Sequence, residues 1–189
     1  MPNPRSHRKT VHQKRRRPSQ AKLGEWKEWL DEAADRFERP DFLADDPLGI
    51  PHEYSHPEDV AIAGFLSATL AWGNRKSIVR SCRGLLDRMD CAPAQFIRGA
   101  DEKDLQRLEG FVHRTYQTED ARRFVMCLRS LEEDGGLEGA FVQAFRNAPD
   151  TEGHPGVPDA GVALSAFKSR FFRDHPAGRT SKHVADPLK

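Results

Sequence analysis

Beyond residue 22 the apolar residues of this chain recur every three or four positions, in runs separated by turn residues, and no run alternates convincingly with a period of two. That periodicity predicts an all-α fold. The first predicted helix, over residues 24–37, sets Trp26, Trp29, Leu30, Ala33 and Phe37 at helical spacing, and Pro40 stops it. The second is unlike an ordinary surface helix, because nearly every residue from Val60 to Trp72 is apolar, which predicts burial. Ser55 followed by Glu58 fits a capping box, Pro57 suits a first turn, and Gly73 suits a left-handed cap at the far end. A third helix, over residues 76–89, is predicted to bury Ile78, Val79, Cys82, Leu85, Leu86 and Met89 and to turn Arg75, Lys76, Arg80, Arg83 and Arg88 outward.

Further on, Asp101 opens a short predicted helix through Leu105, Leu108 and Phe111, and Thr118 opens another through Phe124, Val125, Leu128 and Leu131 that Gly135-Gly136 ends. Leu137, Ala140, Phe141, Ala144 and Phe145 make the next. A Gly/Pro-rich loop over residues 148–158 leads to a last helix, over 159–172, with Leu164, Phe167 and Phe171 inward. The predicted organisation is a basic arm at 1–22, a helical domain at 23–172 and an irregular tail at 173–189. No internal repeat is present.

The composition, 37% apolar, places the chain among globular proteins, consistent with its mean hydropathy of -0.74. The apolar run at 60–72 is shorter than the roughly 20 residues of a bilayer crossing, and the N-terminus lacks the apolar core of a signal peptide. A cytoplasmic protein with no membrane partner is expected. Cys82, Cys91 and Cys127 have neither a disulfide framework nor zinc spacing, so reduced thiols are expected, two of them packed in helices. The net charge of +1 conceals an asymmetry: eight cations and no acidic residue fall in 1–22, leaving 22 cations against 29 acidic side chains in the remainder. The arm, with Lys14, Arg15, Arg16 and Arg17, is predicted to be flexible and to meet nucleic-acid phosphate through counterion release. The alternative is a solubilising tail.

Two strings invite specific chemistry. His52-Glu53-Tyr54-Ser55-His56 matches H-E-x-x-H, whose zinc chemistry needs both histidines on one helical face. Pro51 and Pro57 bracket it and disfavour that helix, so the expectation is no metal, with His52 and Tyr54 anchoring a loop to the core. Pro155-Gly156-Val157-Pro158 is superficially similar to the hairpin of helix-hairpin-helix DNA-binding elements. Pro158 lacks the amide that would face phosphate, and an ordinary loop is expected. Gly73, Asn74, Arg75 and Lys76, by contrast, combine a turn, an amide, two cations and the first amides of the next helix, which is chemistry suited to an anion. Neither a catalytic constellation nor a phosphate-cradling glycine loop is recognisable, and no cofactor is expected.

The block Asp46-Pro47, Pro51-His52-x-Tyr54, Asp59-x-x-Ile62-Ala63-Gly64-Phe65 and Ala68-Thr69-Leu70-Ala71-Trp72-Gly73-Asn74-Arg75-Lys76 resembles a bacterial family of conserved hypothetical proteins, a domain of unknown function. Pro93-x-x-Phe96, His113-Arg114-Thr115-Tyr116 with Asp120, Leu137-Glu138-x-x-Phe141 and His183-x-x-Asp186-Pro187 extend the resemblance over residues 23–187. That family is distantly similar to the helix-hairpin-helix base-excision DNA glycosylases. The likeness implies a helical bundle resembling their helical half, with the 60–72 helix in the core and the Gly73–Lys76 turn reaching DNA. Family members continue past the His-x-x-Asp-Pro element into a Lys-Arg-Leu-rich segment and a Leu-Asp-x-His segment that aligns with the glycosylase aspartate. This chain stops at Lys189, so the resemblance implies a truncated form that lacks the C-terminal half, touches nucleic acid and carries no transferable catalytic residue. Two alternatives stand beside it, a zinc-dependent hydrolase using His52, Glu53 and His56, and a truncated product without function.

Overall fold

Helical periodicity is realised along most of the chain. The computed structural model describes residues 19–176 and Val184, and these fall into two compact units that meet in sequence between Pro40 and Asp41. The first unit holds α1 (Gln20–Phe37), whose N-cap Ser19 accepts the Lys22 amide at 3.3 Å. No residue of α1 is buried, and Trp26, Trp29 and Leu30 are exposed along its apolar stripe. The last residues of the predicted arm, 20–22, are already helical, while Lys14, Arg15, Arg16 and Arg17 lie outside the described residues. Pro40, expected only to stop the first helix, opens α2 (Pro40–Ala44).

The second unit is organised around α3 (Pro57–Leu70), which buries Ile62, Ala63, Leu66, Ser67, Thr69 and Leu70. Two 3-10 turns, Pro47–Gly49 and Pro51–Glu53, lead into it. Its start differs from the expected capping box: His56, not Ser55, is the N-cap and makes no side-chain cap bond. Its end differs too. Ala71 leaves helical geometry at ψ 55, so the helix closes before Trp72 and Gly73 is a turn residue rather than its cap. The next helix, α4 (Arg75–Asp87), is capped by the Asn74 side chain on Ser77 at 3.2 Å and buries Ile78, Val79, Cys82, Leu85 and Leu86, the face its periodicity predicts. Met89, just beyond it, is also buried.

Helix α5 (Pro93–Gly99) has no side-chain N-cap of its own; Asp59 of α3 reaches across to accept the Ala94 amide at 2.9 Å. Arg129 serves its other end, donating to the carbonyls of Ile97 at 2.6 Å and Ala100 at 2.8 Å. Such reaches satisfy helix-end groups that would otherwise be costly to bury. After α6 (Glu102–Gln106) comes a β1–β2 hairpin, Val112–His113 against Tyr116–Gln117, then α7 (Thr118–Ser130) and, past a 3-10 turn, α8 (Gly136–Arg146). A second hairpin, β3 (Asp150–Thr151) with β4 (His154–Pro158), precedes α9 (Ala160–Phe171). The all-α reading holds, with two short hairpins added to the helices, and the plain loop expected at 148–158 is corrected: Pro155 to Pro158 lie within β4.

An aromatic cluster joins α3, α7 and α9. Phe65 lies 6.2 Å from Phe124 and 5.2 Å from Phe171, Phe124 lies 5.3 Å from Phe171, and Phe141 of α8 stacks on Phe167 at 3.8 Å. Cys82 and Cys127 are buried, and burial pushes their thiols up to about 11 and about 12. Cys91 alone is exposed, with its thiol 3.5 Å from Asp87. Only the thiolate attacks a disulfide reagent. In a native titration with such a reagent one thiol per chain is expected to react, and all three only after unfolding; a second native thiol reacting at the Cys91 rate would contradict this placement.

Candidate functional site

The turn between α3 and α4 is built by a glycine that has no substitute. Gly73 has φ +118, and a Cβ there would stand 2.6 Å from Nη2 and 2.7 Å from Cζ of Arg114. Arg114 lies 41 residues further on, in the two-residue loop of the β1–β2 hairpin, and itself adopts a positive φ of 55. Its guanidinium carbon sits 5.4 Å from the centre of the Trp72 ring, a cation–π arrangement. The side chain is exposed, so the charge is held in place and still presented to solvent.

His113 fixes the hairpin that carries Arg114. It is buried, packs edge-on to Trp72 with centroids 5.6 Å apart, and places Nδ1 2.9 Å from the Ser81 hydroxyl on α4. Burial depresses its basicity, opposed by the carbonyls of Trp72 and Leu70 and reinforced by the Arg114 charge. The folded-state pKa thus lies below the ordinary 6.5. The unfolded chain takes up the proton more readily, so the contribution of His113 to stability is complete above pH 6.5 and is lost as pH falls below it. Between pH 7 and pH 5 the thermal midpoint is expected to fall more steeply in the native chain than in His113→Gln, checked by scanning calorimetry across that range. Parallel curves would contradict the buried neutral imidazole.

The four turn residues divide into distinct roles. Asn74 spends its side-chain oxygen on the helix cap. Arg75 is drawn toward the Asp46 carboxylate, with Nε 3.5 Å from Oδ2, and lies over the Phe42 ring at 5.4 Å. Lys76 is exposed and has no ion pair among the described residues, and Arg80 one turn further is exposed as well. Arg83 is neutralised by Glu53 at 2.6 Å. The basic face read from the sequence thus resolves into the paired Arg75 and Arg83, the exposed Lys76 and Arg80, and Arg88, which was expected outward but is half-buried and donates to the Gly84 carbonyl at 3.1 Å.

The His-Glu-x-x-His string is not on a helix. His52 and Glu53 occupy the 3-10 turn, Tyr54 is extended, and His56 precedes α3. Glu53 is engaged by Arg83, and among the described residues no group of three or more His, Cys, Asp or Glu side chains is placed to hold a metal. Of the expected loop anchors, Tyr54 is half-buried against the core and burial raises its hydroxyl to about 12, but His52 is exposed. Ile50, fully buried, holds the loop instead.

Arg114 and Trp72 appear in the sequence only as parts of longer matching blocks. A hairpin of two-residue strands gives no period-two signal that could have joined them. A family model described as "Protein of unknown function (DUF2400)" matches residues 46–189. No curated protein and no solved structure matches the chain.

Proposed function

The chain belongs to the DUF2400 family, and from that premise we propose that the Gly73–Lys76 turn and the Arg114 hairpin together contact the phosphates of a nucleic acid, as a binding surface rather than a catalytic centre. The observation that carries this reading is the hold on Arg114: a guanidinium clamped between a glycine that cannot bear a side chain and an indole face, yet open to solvent. A cation fixed in this way loses little freedom when it meets an anion, and a planar guanidinium suits phosphate. Lys76 adds a second unpaired cation, and the start of α4 a partial positive charge. The basic segment with Lys14, Arg15, Arg16 and Arg17 adds sequence-independent attraction.

The resemblance to helix-hairpin-helix glycosylases read from the sequence motifs implies the same placing, with α3 as core helix and the turn after it on the DNA side. Arg75 contributes less than Lys76 under this reading, because Asp46 already competes for it. Anisotropy with a labelled duplex at low salt tests the assignment. Arg75→Ala combined with Lys76→Ala is expected to weaken binding and to lower the salt slope by about one to two units. Unchanged affinity in that double variant would remove the turn from the interface.

A further inference from the structure

A second feature of the α3–α4 corner shares Gly73 and Arg75 with the nucleic-acid surface but does not rest on that reading. Beside the turn lies a pocket of about 390 Å³, within the size range of small-molecule sites. One wall is the face of α3 at Gly64 and Ala68, continued by Ala71 just past the helix, and it is open because these side chains are small. Pro47, Pro51 and Ile78 supply apolar surface opposite. Two charged side chains line the same space, Asp46 and Arg75. Ser67 is 3% exposed, and its hydroxyl is turned away from solvent beside the Cys82 thiol, so it closes the pocket floor rather than facing a ligand.

The charges decide which ligand fits. Asp46 accepts the Leu48 amide on Oδ1 at 3.0 Å, and its Oδ2 faces Arg75 Nε across 3.5 Å without hydrogen-bond geometry. A purely anionic ligand would take Arg75 and strand Asp46; a purely cationic one would do the reverse. A ligand with both charges exchanges one loose ion pair for two close ones. We propose that this pocket binds a zwitterionic α-amino acid with a small aliphatic side chain. Its ammonium meets Asp46, its carboxylate meets Arg75 at the start of α4, and its side chain lies on the Gly64–Ala68–Ala71 face.

Calorimetry on the full chain with three probes tests this: L-leucine, leucinamide, which keeps only the cation, and 4-methylvalerate, which keeps only the anion. Leucine is expected to bind, and each half-charged probe to bind about tenfold more weakly or worse, the loss expected when one charge-assisted contact is removed. Asp46→Asn retains an oxygen for the Leu48 amide, so it preserves the cap while removing the ammonium partner. It is expected to weaken leucine by about tenfold and leave 4-methylvalerate unchanged or tighter. Ala68→Phe, at an exposed position on the pocket wall, is expected to abolish leucine binding. No leucine binding, leucinamide binding as tightly as leucine, or leucine affinity unchanged in Asp46→Asn would each overturn the proposal.

Discussion

Phe124→Ala is expected to lower the free energy of unfolding by about 3–5 kcal/mol, the range for removing a buried phenyl ring and leaving a cavity. The upper half of that range applies because the ring is 1% exposed and sits where four elements meet. Tyr116 of β2 lies 5.3 Å away, Phe171 of α9 5.3 Å, Phe172 just past α9 5.9 Å and Phe65 of α3 6.2 Å. Neighbours anchored in separate elements cannot all move inward, so the cavity persists. Against a total stability of about 5–15 kcal/mol, the loss is a large fraction. Urea titration is the measurement, read as a lower midpoint with an unchanged slope. Phe124→Leu, which refills most of the space, is expected to lose about 1.5 kcal/mol or less. Equal losses for the two variants would mean that ring contacts rather than volume hold the cluster.

Gly73→Val is expected to cost about 1–3 kcal/mol in backbone strain and to weaken nucleic-acid binding as well. The strain comes from φ +118, a conformation that a β-branched residue does not adopt comfortably. The binding loss has a different cause: the new Cβ would occupy the place of the Arg114 guanidinium, which must leave the Trp72 face. Gly84→Ala is the control. It lies inside α4 with nothing within 4 Å of an added Cβ, so it is expected to stabilise by up to about 1 kcal/mol. Stability and duplex affinity of both variants separate the effects. A Gly73→Val chain that is destabilised yet binds normally would detach Arg114 from the interface.

Much of this was legible in the sequence because it depends on period. The buried face of α4 follows from Ile78, Val79, Cys82, Leu85 and Leu86 alone, and α7 begins at Thr118 as its pattern indicates. What escaped depends on distance rather than period. Helix α5 is only seven residues long and takes its caps from Asp59 and Arg129, which are 35 and about 30 positions away, so no local capping pattern announces it. The end of α3 was misplaced because Ala71 and Trp72 continue the apolar run while the backbone has already turned. The site was half legible. Residues 73–76 read as a basic turn, but their division into capped, paired and free groups depends on Asp46 and Arg114, which only the folded chain brings near.

The most direct test of the interface is the salt dependence of duplex binding in Arg114→Asn. Asparagine tolerates the positive φ at that position while removing the charge, so the hairpin is preserved. The slope of log affinity against log salt is expected to fall by about one unit relative to the native chain, with weaker binding at every salt concentration. An unchanged slope and affinity would contradict the placement of Arg114 on phosphate, and with it the reading of this corner as a nucleic-acid interface.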